Sequence, residues 1–186
     1  MFYNGDMNDI TQLLNLNQLV VLALPRSRAS DTLSLVSDLA LKGALRVVDG
    51  GNLFNVLMLN RLIRRRTSDV ITVLNRIYIS RAFTCFQMEA MLQDLQTYRS
   101  PVFVLDLLHM FYDESVDDQQ CRHLFANCVV HLRRISSSSP LLVSVAPPPR
   151  TGSRPFLMDM LLEAASHVWQ GESKPAPQLQ PALWED

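Results

Sequence analysis

The sequence predicts an α/β domain built on a mostly parallel β-sheet with helices on both faces. Three short apolar runs carry this prediction: VVLAL at residues 20–24, VFVL at 102–105 and LLVSV at 141–145. Continuous apolar runs of this length are typical of parallel strands that are buried on both faces. Amphipathic stretches separate the runs, and strands that alternate with helices form βαβ units with parallel strands.

Turn and capping residues divide the chain into alternating elements. Pro25 ends the first strand, Ser30-Asp31-Thr32 can open the helix that follows, and Gly43 can close it. The predicted strands cover 19–24, 45–48, 77–79, 102–105 and 141–145. The predicted helices cover 30–41, 53–65, 86–98, 118–135 and 156–169, with a short edge strand as the most that is expected near Leu183.

Length and composition indicate one domain. The chain has 186 residues, of which 48% are apolar and 19% charged, as is usual for a globular domain with its own core. No repeat and no long linker interrupts the pattern. We therefore expect a single domain over residues 1–171 and a Pro- and Gln-rich C-terminal tail over 172–186.

Charge and cysteine usage exclude several classes of protein. The net charge of −1 provides no overall attraction to nucleic acid, so any such contact would need a local patch. Three cysteines without a C-x-x-C pair argue against a disulfide framework or a zinc site. The N-terminus lacks a basic segment and no apolar run reaches the ~18 residues of a membrane span. We expect a cytoplasmic protein, or a nuclear one in a eukaryote, without membrane contact.

The loop after the first strand occupies the position of a phosphate-binding loop. Open parallel sheets bind ligands at the carboxyl ends of their strands, and a strand, a loop and a helix in succession form the setting of G-x-x-x-x-G-K-[ST]. Residues 25–32 (PRSRASDT) have the right length, and Thr32 takes the Ser/Thr position. However, Pro25, Ser30 and Asp31 replace the two glycines and the lysine.

These replacements remove the chemistry that binds phosphate. Proline has no N–H to donate, and an aspartate repels an anion by roughly 4 kcal/mol at ~4 Å and an effective dielectric constant of ~20. Ser30 or Asp31 is expected to cap the helix instead. Arg26 and Arg28 could bind a different anion, and a plain capped turn is the other interpretation.

The order of segments from Leu19 to Pro147 resembles the core of the RecA/RadA recombinase family. Beside the loop at 25–32, ALRVVDGGNLF (44–54) is similar to the family's strand and Asp-Thr-Glu-Gly-x-Phe motif. IYISRAFTCFQ (77–87) is similar to its Ala-Arg-Ala-Phe segment, and VFVLD (102–106) to its Walker B strand. The resemblance implies a RecA-like P-loop NTPase core without a functional P-loop.

The departures from the family determine what function the resemblance implies. Asp49-Gly50-Gly51 contains no glutamate at the region where the family activates water, so a second catalytic element is missing. We expect a non-catalytic paralog without a cofactor, acting as an interaction subunit in DNA recombination or repair. Its expected partners are other RecA-family subunits or a second copy in a dimer, with DNA reached through a partner.

Two further hypotheses remain open. A divergent ATPase would bind Mg-ATP through Thr32 and Asp106, which the resemblance marks as vestigial cofactor-binding residues. A nucleotide-independent nucleic-acid binder would use arginines of a helix end and of the loop after the last core strand, namely Arg64, Arg65, Arg66, Arg150 and Arg154. Arginines at a helix C-terminus also interact favourably with the helix dipole, and the acids at 112–118 would repel DNA.

Aromatic residues near the two ends of the sequence are candidates for a partner contact. Phe2, Tyr3 and Trp184 would mark an interface if they were exposed, since terminal segments need something to hold them. The alternative is that they fold back on their own domain.

Overall fold

A seven-stranded parallel sheet forms the centre of the molecule. The computed structural model describes residues 2–3, 10, 14, 18–96, 99–112, 115–149 and 154–171. Every neighbouring pair of strands in it is parallel, in the order β1-β7-β2-β6-β5-β3-β4. The strands are β1 (Phe2–Tyr3), β2 (Leu19–Ala23), β3 (Leu45–Asp49), β4 (Ile77–Arg81), β5 (Val102–Leu105), β6 (Leu141–Val145) and β7 (His167–Gln170).

Alternate side chains of the central strands fill two cores, one on each face of the sheet. In β2, Leu19 and Val21 pack into one core, whereas Val20 and Leu22 pack into the other. Successive side chains of a strand point to opposite faces, so a strand covered on both sides needs apolar residues at every position. The fully apolar runs in the sequence have this cause, and the predicted α/β class with a parallel sheet is confirmed.

Within the described ranges, six α-helices cover the two faces. The helices α1 (Ala29–Lys42), α2 (Val56–Arg64) and α3 (Val70–Leu74) pack on one face of the sheet. The helices α4 (Cys85–Asp94), α5 (Asp118–Ser136) and α6 (Pro155–Ala164) pack on the other. This arrangement is compatible with a RecA-like core.

Local capping explains where several helices begin. Asn55, Asp69, Thr84 and Asp117 each accept a hydrogen bond from a backbone N–H of the turn that follows. The predicted helix at 53–65 therefore starts three residues later, after Asn55. The short helix α3, which sequence reasoning missed, follows the cap at Asp69.

The C-terminal part of the described chain differs from the prediction. The helix predicted over 156–169 ends at Ala164, and Trp169 lies in strand β7, which pairs with β2. The buried pair Val168 and Trp169 is apolar enough to continue a helical pattern, but the backbone is already extended at Ala165. Pairing with β2 selects the strand, which is a tertiary effect.

The N-terminal residues belong to the domain's own sheet. Phe2 and Tyr3 form β1, which pairs in parallel with Val168 and Trp169 of β7. The backbone of this segment is therefore held by the sheet, which corresponds to the alternative in which it folds back. Trp184, with the strand considered near Leu183, lies outside the described residues.

Candidate functional site at the carboxyl edge of the sheet

Five loops meet where the strands β2 to β6 end. Parallel strands place all their carboxyl ends at one edge, and this edge is the usual ligand-binding position in open α/β sheets. The loops lining a cavity there start at Pro25, Gly50, Ala82, Asp106 and Ala146. The cavity has a volume of about 740 Å³ and is called the carboxyl-edge cavity below.

The first of these loops leads directly into helix α1. Arg26 to Arg28 form a 3₁₀ turn, and α1 begins at Ala29. Ser30 and Asp31 consequently lie in the first helical turn, two and three residues after the N-cap Arg28, and the expectation that one of them caps the helix is wrong. The hydroxyl of Thr32 is buried and donates a hydrogen bond of 2.7 Å to the carbonyl oxygen of Ala29. It is thus used within its own helix.

Arg26 binds the aspartate at the end of strand β5. Its Nε and Nη2 atoms lie 3.0 and 2.7 Å from Oδ2 of Asp106. The Asp106 side chain is 3% exposed, whereas that of Arg26 is 46% exposed and reaches the cavity. The other carboxylate oxygen of Asp106 accepts the N–H of Ala146 at 3.3 Å. Both oxygens that could face a metal ion therefore have protein donors.

The backbone at Gly51 is packed closely against Asp106. Its φ of 49° is in the left-handed region, where aspartate is one of the few tolerated side chains. A Cβ atom at Gly51 would lie 2.4 Å from Oδ2 of Asp106, so this position requires glycine. The Gly50-Gly51 pair that resembles a family motif has a packing role here.

A second ion pair joins the first loop to the first turn of helix α1. Nε of Arg28 lies 2.6 Å from Oδ2 of Asp31, and both side chains are mostly buried. The Arg28 guanidinium also lies 5.4 Å from the ring centroid of Trp169 in strand β7. Arg26 and Arg28, which the sequence marked as possible anion ligands, both have carboxylate partners within the chain.

Asp49 stabilises the turn after strand β3. It is completely buried, and its oxygens accept the N–H groups of Leu53 and Phe54 at 3.0 and 3.1 Å. Nε of Arg81 donates to Oδ2 at 3.0 Å, and the same guanidinium donates to the carbonyl of Phe54 at 3.2 Å. The carboxylate of Asp49, the only acid in residues 49–51, is therefore used in hydrogen bonds that stabilise this turn.

His109 and Tyr112 add polar groups to the cavity. Burial and the nearby Arg26 lower the pKa of His109, which favours its neutral form at pH 7. Burial and the nearby Asp106 raise the pKa of Tyr112 to about 12. The Tyr112 hydroxyl oxygen is buried and has no hydrogen-bond partner among the described residues. The sequence drew no attention to these two side chains, because a short 3₁₀ segment leaves no periodic signal.

The arginines predicted to contact nucleic acid lie in different environments. Arg64, Arg65 and Arg66 are exposed at the end of α2, where Arg66 pairs with Asp38 at 2.6 Å and Arg64 donates to the side chain of Asn60. Arg154 is buried: it pairs with Asp118 at 2.8 Å and donates to the carbonyls of Phe111 and Val116. Arg150 lies outside the described residues. Because Arg154 is buried, it does not form an exposed basic surface with Arg64, Arg65 and Arg66.

The remaining titratable candidates have structural surroundings. Cys85, Cys121 and Cys128 are free and buried in the core, and burial raises the pKa of Cys121 and of Cys128. Among the described residues there is no group of three or more His, Cys, Asp and Glu side chains that could hold a metal ion. No helix in the described part of the chain is long and apolar enough to cross a membrane.

Comparison with protein-family models and with curated proteins finds no match to this chain.

Proposed function

We propose that this chain is a degenerate P-loop NTPase domain of the RecA-like type that acts as a non-catalytic interaction subunit in DNA recombination or repair. Its partners would be RecA-family subunits or a second copy of itself. Two observations support the proposal: exposed apolar side chains on and near the edge strand β4, and charged groups of residues 25–32 that bind partners within the chain.

The unpaired edge is that of strand β4. Among the described residues it ends the sheet on one side and pairs with β3 alone, and it is called unpaired in that sense. Side chains at the middle of this strand are open to solvent: Tyr78 is 59% exposed and Ile79 is 42% exposed. Proteins usually protect such edges, because free backbone groups next to apolar side chains recruit another chain.

Exposed apolar residues are concentrated in the segment of the chain that contains β4. Eight large apolar side chains are exposed among the described residues, and seven of them lie within residues 56–86. We call these seven the edge surface: Val56, Leu57, Ile71, Tyr78, Ile79, Phe83 and Phe86. Exposed apolar side chains that accumulate in one segment, which includes an edge strand, favour a contact with another protein.

The alternative of a divergent ATPase has less support. Thr32 would have to release the carbonyl of Ala29, and Asp106 would have to release Arg26, before either could hold Mg-ATP. Asp31, which takes the position of the phosphate-binding lysine, would repel the nucleotide. A nucleic-acid function also has less support, since Arg154 is buried and Arg66 pairs with Asp38.

The proposal is tested by introducing a positive charge into the edge surface. In Ile79→Lys the new ammonium group must be desolvated at any β4 contact, so we expect about tenfold or more weaker association with itself or with RecA-family partners. Sedimentation velocity and binding titrations on the full chain measure this. Val130→Lys is the matched control, because Val130 is 63% exposed on α5, outside the edge surface.

Two outcomes of this experiment would contradict the proposal. A wild-type chain that stays monomeric at high concentration and binds no RecA-family subunit from its source would refute the interaction role. Equal weakening by Ile79→Lys and Val130→Lys would refute the assignment of the contact to β4. Urea unfolding of both variants shows whether each remains folded.

A further inference from the structure

The solvent-facing side of helix α2 combines positive charges with an apolar side chain. Leu57, Arg61 and Arg65 follow one another at intervals of four residues, and Arg64 lies beside Arg65. Residues with this spacing share one face of a helix, and all four side chains are exposed. Ile71 of helix α3 is also exposed and lines a cavity of about 490 Å³ together with Arg64. We call these five residues the basic face.

The positive charge of the basic face is not neutralised within the described part of the chain. None of its three arginines forms an ion pair there, and Nε of Arg64 donates to the neutral side chain of Asn60 at 2.9 Å. The next arginine along the chain, Arg66, does pair with a carboxylate, that of Asp38. Asp69 lines the same cavity as Arg64, but its carboxylate caps helix α3. Three guanidinium groups on one face are therefore available to a ligand.

The exposed apolar side chains favour a protein segment over a nucleic acid as the ligand. Leu57 is 73% exposed and Ile71 is 75% exposed. Phosphate groups or the helix dipole would account for arginines at the end of α2, but would give these two side chains no partner. A peptide with acids beside apolar residues matches both kinds of group. Carboxylates accept paired hydrogen bonds from a guanidinium, and an aromatic ring packs well on apolar side chains and on arginine.

The sequence of this chain contains a segment with that chemistry. Adjacent acids occur at 113–114, 117–118 and 185–186. Near the first two pairs, Phe111 and Val116 are buried in the core of their own domain, so they are not available to a second copy. The third pair directly follows two apolar residues, in the order Leu-Trp-Glu-Asp. Four extended residues span about 13 Å, close to the rise of about 12 Å from one end of the basic face on α2 to the other.

We propose that the basic face of one protomer binds residues 183–186 of a second copy of this chain, with the two carboxylates of that segment on the arginines and its tryptophan ring against Leu57 and Ile71. This inference rests on the proposed self-association and names one pair of surfaces that form it. The basic face shares Leu57 and Ile71 with the edge surface, so the bound segment would cover part of that surface. The described lining of the carboxyl-edge cavity includes no residue of the basic face.

Sedimentation velocity on full-length charge variants tests the proposal. Arg61→Glu with Arg65→Glu reverses the charge of the basic face, and Glu185→Arg with Asp186→Arg reverses the charge of the acidic segment. Each double variant places like charges opposite each other, so we expect the dissociation constant for self-association to rise about tenfold or more. An equimolar mixture of the two double variants should restore association, because every contact between them again joins opposite charges.

Arg99→Glu with Arg133→Glu is the matched control, since it changes the net charge equally at exposed arginines outside the basic face. It should leave self-association unchanged, and urea unfolding shows whether each variant remains folded. A mixture that fails to associate, or equal weakening by the control, would overturn the proposal. Binding of a DNA duplex that Arg61→Glu with Arg65→Glu abolishes, while self-association is unchanged, would assign the face to nucleic acid and overturn it as well.

Failure of this inference and failure of the proposed function are separate outcomes. A wild-type chain that binds RecA-family partners but not itself would overturn this inference alone. Self-association that is lost in Ile79→Lys and retained in both charge variants would do the same. Self-association that is lost in the charge variants, restored by mixing them and retained in Ile79→Lys would support this contact and contradict the assignment to β4.

Discussion

The charged side chains of the loop at residues 25–32 have partners within the chain, whereas apolar side chains of strand β4 are exposed to solvent. In the loop, Arg26 pairs with Asp106 and Arg28 pairs with Asp31, so its charged side chains bind carboxylates of the same chain. In β4, Tyr78 and Ile79 remain exposed beside an unpaired backbone edge. The domain thus stabilises the place where a RecA-like protein would hold phosphate, and leaves open a place where another protein could bind.

The largest expected effect comes from Asp49, which binds Arg81 at the end of β4 and the turn after β3. Asp49→Ala leaves the N–H groups of Leu53 and Phe54 and the Arg81 guanidinium without their acceptor. Unpaired buried donors cost about 1–3 kcal/mol each, so we expect the free energy of unfolding to fall by about 3–5 kcal/mol. Urea unfolding followed by circular dichroism measures this.

Asp69→Ala is the control for Asp49→Ala, since it removes an exposed carboxylate that caps α3 through a single N–H. It should cost about 1 kcal/mol. If both variants lose the same stability, the turn after β3 is not held by Asp49 in the way described.

A smaller effect is expected at Arg28, within the loop. Arg28→Ala removes the ion pair with Asp31 and the contact with the Trp169 ring. Both side chains of the ion pair are less than one-fifth exposed, and we expect the free energy of unfolding to fall by about 1–2 kcal/mol. Arg65→Ala, at an exposed arginine, should change it by less than about 0.5 kcal/mol. A neutral Arg28→Ala variant would show that the loop does not depend on its internal charges.

The smallest expected effect is that of Mg-ATP on the wild-type chain. Pro25 lacks an N–H, Asp31 carries the wrong charge and Arg26 already binds Asp106, so the Kd should be weaker than about 1 mM by calorimetry. A micromolar Kd that is lost in Thr32→Ala would show that the loop at residues 25–32 still binds nucleotide, and would support the ATPase alternative.

Much of the architecture could be read from local patterns. The strands at 102–105 and 141–145 have the predicted bounds, because a strand buried on both faces must be apolar throughout. The helix at 118–135 differs by one residue at its end. The short elements were missed: α3 has five residues, and β1 has two. Segments of that length have too few residues to show a period.

The sequence by itself determined the fold class, the order of the central elements and the presence of Pro25 and Asp31 where a phosphate-binding loop has a glycine and a lysine. Tertiary structure decided which carboxylate each arginine binds: Arg26 meets Asp106, 80 residues away, and Arg154 turns inward to Asp118. It also decided that Trp169 belongs to a strand and that Ile79 lies at a free edge. Local sequence patterns show which residues of a helix or strand are buried, because burial repeats with the period of the element. Ion pairs and sheet edges depend instead on which strands become neighbours, and distant segments become neighbours only in the folded chain.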